Sequence, residues 1–134
     1  MRWTPDLMTG NAVVDSEHRE LISLIDTLEL AGNGPEGTGV EAALEELTDY
    51  VFVHFQMEEK LMQREGYPAE AFDAHVAEHR TLDQGTQALV RQYSDGALTT
   101  VEPIVTFLYE WFQHHIAQVD RAMAEYIRIK HARP

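Results

Sequence analysis

The sequence contains no cysteine, and this absence excludes several kinds of site at once. Without thiols there is no disulfide bridge, no zinc finger, no cysteine-ligated iron–sulfur cluster and no thiol nucleophile. Basic residues are also scarce, since 10 Lys and Arg stand against 23 Asp and Glu, for a formal net charge of −13. A surface of this sign repels phosphate backbones and anionic lipid, so we expect no nucleic-acid partner and no binding to membrane surfaces.

Long apolar runs are missing as well. No run approaches the roughly 18 residues of a transmembrane helix, and the N-terminus lacks the basic start and apolar stretch of a signal peptide. The 134 residues, 44% of them apolar, are enough for one domain with a hydrophobic core. We therefore expect a single domain over residues 1–134, without membrane insertion and located in the cytoplasm.

The apolar residues that are present repeat at helical spacing. Turn-forming residues divide the chain at positions 32–39, 66–68 and 94–96. Between them, apolar residues recur in steps of three and four, which predicts helices over residues 16–31, 40–64, 69–93 and 100–129. Short links favour antiparallel neighbours, so the predicted fold is all-α, an up-down-up-down four-helix bundle with an extended N-terminal arm.

The predicted buried faces carry polar residues where leucine or isoleucine would be expected. These residues are His18, His54, Glu58, His75, His79 and His115. An unpaired buried charge costs several kcal/mol, so such groups must be neutral, paired or bound to something. In an antiparallel bundle all six lie near one end, and imidazoles with carboxylates are ligands for iron, manganese, copper or zinc. The pattern therefore predicts a metal centre at that end.

The fourth helix leaves one candidate open. Its apolar face selects His115 over His114 and is predicted to continue through Ala122 and Tyr126. Asp120 follows His115 by five positions, which is about 140° around a regular α-helix. Spacing alone favours a solvated Asp120, whereas a wide-angled face or a local π-bulge would bring it to the site.

These motifs closely resemble those of the hemerythrin family, in particular the single-domain bacteriohemerythrins. The family pattern is a histidine on the first helix, followed by HxxxE, HxxxH and HxxxxD. The matching segments here are VVDSEHREL, HFQMEEKLMQREGYP, HVAEH and HIAQVD. The resemblance implies seven metal ligands, Asp120 now among them: His18, His54, Glu58, His75, His79, His115 and Asp120.

The resemblance further implies a non-haem di-iron centre with an oxo or hydroxo bridge. The implied ligands are His75, His79 and His115 for one iron, His18 and His54 for the other, and Glu58 and Asp120 as bridges. This arrangement leaves the second iron one ligand short, and O2 binds at that position in the family. The implied function is reversible O2 binding by a carrier, store or delivery protein rather than an enzyme. A delivery protein of this kind would pass its O2 to a partner such as an O2-consuming enzyme.

A dry pocket for O2 would need apolar walls beside the ligands. The candidates are Leu21, Ile25, Phe55, Trp111, Phe112 and Ile116, each of which is equally well explained as core. Relatives often carry a smaller aliphatic residue at the position of Phe112, so the phenyl ring would narrow the pocket. We interpret Glu59, Lys60, Met62 and Arg64 as surface or filler positions and His131 as solvated.

Two other functions use the same kind of centre. One is a di-iron redox enzyme, such as a peroxidase, an oxidase or a protein that handles nitric oxide. The other is an O2 or redox sensor, which would require a separate partner because 134 residues leave no room for an output module. No outer helix face shows an obvious apolar patch, which favours a monomer.

Overall fold

Helices form nearly all of the chain in the computed structural model, which describes residues 3–34 and 38–132. The first three are α1 (Ala12–Asn33), α2 (Val40–Arg64) and α3 (Ala69–Ser94). The fourth helix of the bundle is continuous and consists of α4 (Glu102–His114), a π-helical segment (His115–Asp120) and α5 (Arg121–Ala132). The described residues contain no β-strand. The all-α, up-down-up-down bundle is thereby confirmed.

The N-terminal arm is fastened to the bundle before α1 begins. It contains a short 3-10 turn (Pro5–Leu7) with Leu7 buried in the core. The half-buried Trp3 ring lies 5.1 Å from the guanidinium carbon of Arg19. The buried carboxylate of Asp15 accepts hydrogen bonds from the N–H (2.8 Å) and hydroxyl (2.7 Å) of Thr9. These contacts hold the arm against the metal-site end of the bundle.

Helix α1 begins at Ala12, four residues before the predicted start. Asn11 precedes the helix with extended backbone, and its side-chain oxygen accepts the N–H of Val14 at 3.1 Å. This contact satisfies one of the N–H groups that a helix start leaves free. The extra turn places His18 almost two turns inside α1 rather than at its frayed end.

The link between α2 and α3 is a tight reversal at Gly66. This residue has φ +69°, a left-handed conformation that glycine adopts without steric cost. The N–H of Tyr67 then donates to the carbonyl of Met62 at 2.9 Å, which closes the last turn of α2. The reversal brings the last turns of α2 beside the first turns of α3.

Two apolar clusters fill the interior. The larger extends from Leu21 and Phe55 towards the opposite end of the bundle, and the smaller consists of Val14, Met62, Met123 and Ile127. On α1, α2 and the fourth helix, the residues of the predicted metal centre are flanked in sequence by members of both clusters; His18, for example, lies between Val14 and Leu21. None of the described helices combines the length and apolar character needed to cross a membrane.

The buried face of α5 is displaced by one residue from the prediction. Met123 and Ile127 are buried, whereas Ala122 is exposed and Tyr126 only half-buried. The predicted continuation through Ala122 and Tyr126 was wrong, because it assumed a constant α-helical period through residues 115–120. The π-helical segment inserts one residue and so rotates everything that follows.

Candidate metal centre

Seven ionisable side chains project into one buried layer of the bundle. They are His18 from α1, His54 and Glu58 from α2, His75 and His79 from α3, and His115 and Asp120 from the π-helical segment. Each is at most 2% exposed. Because residues four apart share a helix face, α2 and α3 each contribute a pair of neighbouring side chains.

The seven residues form two overlapping groups of prospective ligand atoms. The first comprises Glu58, His75, His79, His115 and Asp120, and the second His18, His54, Glu58 and Asp120. Within each group, the selected nitrogen and oxygen atoms all lie within 4.8 Å of one another. Glu58 and Asp120 belong to both groups, so the structure brings together all seven residues predicted as ligands.

The Glu58 carboxylate divides its two oxygens between the histidine groups. Its Oε2 lies 3.3 Å from His18 Nε2 and 3.1 Å from His54 Nε2. Its Oε1 lies 3.3 Å from His75 Nε2 and 3.1 Å from His79 Nε2. A carboxylate that faces two sets of nitrogens in this way has the orientation of a bridging ligand.

Asp120 divides its oxygens between the same groups from the opposite helix. Its Oδ2 lies 2.9 Å from His18 Nε2, and its Oδ1 lies 2.9 Å from His75 Nε2 and 3.1 Å from His115 Nε2. The side chain is completely buried, so the surface position that spacing alone favoured was wrong. A π-helix spans about one turn in five residues, and this local geometry turns Asp120 inward beside His115.

Several atoms at the centre of the cluster are close together but not hydrogen-bonded. Among the described residues, neither Asp120 oxygen has a hydrogen-bond partner, and the Nε2 atoms of His54 and His115 have none either. Buried polar atoms without partners are rare in native proteins. Nitrogen and oxygen lone pairs converging at this separation form a donor set that fits divalent transition metals. The residues therefore suit a metal-binding site.

Burial and ion pairing oppose each other in setting the charges of the cluster. Burial alone lowers the pKa of His54, but Glu58 and the hydrogen bond with Glu17 outweigh it and raise the pKa to about 10. Burial likewise lowers the pKa of His75, which Asp120 and Glu58 raise to about 9. Burial raises the pKa values of Glu58 and Asp120, but the neighbouring imidazoles outweigh it and hold both values well below the usual carboxyl range. With no cation bound, the carboxylates are ionised, and the raised pKa values of His18, His54 and His75 favour protonated rings that balance them.

Three further acids contact the outer nitrogens of the histidines. His54 Nδ1 lies 3.0 Å from Glu17, His79 Nδ1 lies 2.9 Å from Glu59, and His115 Nδ1 lies 2.9 Å from Glu78. Glu59, interpreted from the sequence as a surface or filler position, is one-third exposed but contacts His79, and sequence reasoning missed this contact as well as Glu17 and Glu78. One signal was available, because each of the three acids is adjacent in the chain to a predicted ligand.

The six apolar candidates belong to the larger apolar cluster or pack against it, and two of them stack on imidazole rings. Phe55 lies parallel to His79 with ring centroids 3.7 Å apart, and Trp111 lies nearly parallel to His115 at 4.3 Å. Leu21, Ile25, Phe112 and Ile116 are at most 1% exposed, whereas Trp111 is half-buried. Each of the six lies within two turns of a cluster histidine in the sequence, so they are among the apolar residues nearest the buried layer.

The remaining histidines lie outside the cluster. His114 is exposed, and His131 near the end of α5 is exposed and paired with Glu65. Lys60 and Arg64 are exposed, as interpreted from the sequence, and Met62 fills the smaller apolar cluster. The layer thus selects five of the seven histidines.

Comparison with known proteins matches the chain to a family of cation-binding domains, in agreement with the buried His/Glu/Asp layer. Residues 9–127 match the family model of the hemerythrin HHE cation binding domain. A bacteriohemerythrin of Stenotrophomonas maltophilia (strain R551-3) is 30% identical over 126 residues, which cover 94% of this chain and 80% of the relative. A bacteriohemerythrin of Methylococcus capsulatus (strain ATCC 33009 / NCIMB 11132 / Bath) is 29% identical over 90% of this chain and 92% of its own length.

The three-dimensional likeness extends over nearly the whole fold. A crystal structure of wild-type hemerythrin superposes with a TM-score of 0.84 at 28% identity, covering 95% of this chain and 97% of the other. The family match thus coincides with a four-helix bundle whose buried His/Glu/Asp layer is suited to metal ions. This chain belongs to the hemerythrin family.

Proposed function

We propose that the buried layer holds two iron ions and that the protein binds O2 reversibly, as a cytoplasmic carrier, store or delivery protein rather than an enzyme. In this proposal residues 1–134 act as one hemerythrin-like domain. The observation that carries it is the orientation of Glu58 and Asp120, each of which turns one oxygen towards each histidine group. Two carboxylates oriented in this way suit two adjacent cations better than one.

The histidines are divided unequally between the two proposed ions. Three of them, His75, His79 and His115, accompany the bridging carboxylates in one group, and only His18 and His54 do so in the other. The second group therefore offers one protein ligand fewer, which leaves room for a small exogenous molecule. Two ferrous ions held by the two groups would supply the electrons for reversible O2 binding.

The chain's own contribution is to exclude water and to fix the imidazoles. Leu21, Ile25, Phe112 and Ile116 provide a dry wall, and the ring of Phe55 covers the face of His79. We assign these residues and Trp111 to the O2 pocket. A water-excluding site limits proton entry and side reactions of bound O2. The phenyl ring of Phe112 fills space in this wall that a smaller side chain would leave open.

The composition of the donor set favours O2 binding over oxidase chemistry. Ferritin-like di-iron sites are rich in carboxylates and use Glu-x-x-His pairs. Here five imidazoles accompany two carboxylates, and the paired motifs are His54–Glu58 and His75–His79. Neutral imidazoles leave the site with less negative charge to stabilise highly oxidised iron.

Metal content tests the first half of the proposal. Protein loaded anaerobically with Fe(II) is expected to retain two Fe per chain, and Glu58→Ala to lose most of it. Glu46→Ala is the matched control, because Glu46 is an exposed acid on the same helix. A single Fe in the wild-type protein, or a preference for zinc at full occupancy, would contradict the di-iron assignment.

Gas cycling tests the second half. The ferrous protein is expected to gain and lose the same visible absorption band through repeated cycles of O2 and vacuum. Rapid irreversible oxidation, with no stable oxygenated spectrum, would reject the carrier and point to a redox enzyme or a sensor. Phe112→Leu serves as a probe of the pocket and is expected to change the rate of O2 release without changing the iron content.

A further inference from the structure

The three acids on the outer side of the cluster form a regular pattern from helix to helix. Glu17 on α1 reaches His54 on α2, Glu59 on α2 reaches His79 on α3, and Glu78 on α3 reaches His115 in the fourth helix. Each helix of the first three thus supplies an acid to a histidine of the next helix. None of these acids belongs to the seven predicted ligands.

The geometry of the three contacts is the same. In each, the carboxylate lies 2.9–3.0 Å from Nδ1, while Nε2 of the same ring faces Glu58 or Asp120. The acids themselves are 25–36% exposed, so they lie at the rim between helices rather than in the core. The imidazole therefore stands between a rim acid and the centre of the cluster.

The other two histidines lack this support. Nδ1 of His18 and Nδ1 of His75 are buried and have no hydrogen-bond partner among the described residues. The orientation of these two rings depends on packing and on the two central carboxylates. The cluster accordingly contains three histidines with an acid behind them and two without.

We propose that Glu17, Glu59 and Glu78 are positioning residues that orient the three histidines and make them stronger metal ligands. A carboxylate that accepts the Nδ1–H fixes the tautomer with a free lone pair on Nε2, and it raises the basicity of the ring. Its negative charge also stabilises the more positive oxidation state of a bound metal pair. The redox part of this inference rests on the proposed function, whereas the orienting part requires only that the site binds a divalent metal.

The first test measures affinity for Co(II) alone by competition with a chromophoric chelator. The variants are Glu17→Ala, Glu59→Ala and Glu78→Ala, each with its Gln counterpart, and Glu46→Gln is the control for loss of one surface charge. Each Ala variant is expected to lose about 10–100-fold in affinity. The Gln variants are expected to recover most of the loss, because the amide oxygen can still accept the Nδ1–H.

The second test measures the midpoint potential of the iron-loaded Gln variants. Glu78→Gln is expected to shift the potential to more positive values, whereas Glu46→Gln leaves it unchanged. If the wild-type protein binds two Co(II) and the Ala variants bind them equally tightly, the positioning role is wrong. If the wild-type protein fails to bind two metal ions at all, the proposed function fails instead. Unchanged helical circular dichroism excludes a general loss of folding as the cause.

Discussion

The two ends of the bundle are built from the same helices but stabilised in different ways. Towards the end where α1 is followed by α2, residues such as Leu28, Leu47 and Leu108 form an entirely apolar interior. Towards the other end, seven ionisable side chains occupy the equivalent layer. Apolar burial stabilises the first end whatever is bound, whereas desolvated charges at the second must be offset by each other or by a cation. The difference implies that only the metal-site end responds strongly to metal.

Removing metal is expected to lower the stability of the folded state more than any other change, and to lower it at the metal-site end only. A ligand present at about 1,000 times its dissociation constant stabilises the folded state by about 4 kcal/mol. For a chain of this size, chelation would then lower the melting temperature by roughly 15 °C. Hydrogen exchange should show lost protection around His54 and His79, with little change around Leu47. Uniform loss along the helices would mean that the two ends unfold as one unit.

Shortening a core side chain at the apolar end tests whether the stability of that end is independent of metal. Leu108 is 1% exposed and borders a cavity of about 160 Å³ that Leu47 and Thr86 also line. Leu108→Ala should lower the free energy of unfolding by about 3 kcal/mol, equally with and without metal, since it enlarges this cavity. Leu30→Ala, at a side chain 73% exposed, is the control and should change stability by under about 0.5 kcal/mol. Loss of iron from the Leu108 variant would show that the two ends of the bundle are not stabilised independently.

Metal affinity should depend strongly on pH, because the groups that titrate are the histidines at the metal-site end of the bundle. With no cation bound, the pKa values of His54 and His75 are about 10 and 9, so both rings carry protons at pH 7. A metal must displace those protons, so its affinity rises with pH, by about 100-fold per pH unit when two protons leave. Co(II) competition between pH 6 and 8 measures the slope, and calorimetry in two buffers counts the protons. A flat profile would mean that neither ring is protonated beforehand.

Most of the fold could be predicted because steps of three and four residues report directly on which face is buried. The bounds of α2 were predicted as 40–64 and are Val40–Arg64, and α3 differs by a single residue at its end. Helix α1 differs at its start, because the arm engages Asp15 and leaves Asn11 to cap the helix. That choice depends on where the arm lies, which no local pattern encodes.

The site was harder to predict where the helical period changes. A constant period turns Asp120 outward and continues the buried face through Ala122, and both of these inferences were wrong. A phase shift was present in the sequence, since apolar residues resume at Met123 and Ile127 rather than in step with His115. The positions of the rim acids could not be predicted in the same way, because each contact crosses between helices and depends on their relative height.

The smallest expected effect concerns the start of α1, which lies at the metal-site end but contributes no ligand. Asn11→Ala removes the side-chain acceptor of the Val14 N–H and should cost about 1 kcal/mol, whereas Asn11→Asp should retain the cap. His18 lies almost two turns further along the helix, where its Nε2 is within 3.3 Å of carboxylate oxygens of Glu58 and Asp120. Fraying of the first turn should therefore leave iron content unchanged, and thermal unfolding should show the same loss with and without metal. A larger loss of stability in the metal-loaded protein would show that the first turn of α1 and the arm are coupled to the metal centre. The region whose stability depends on metal would then extend to the end of the bundle.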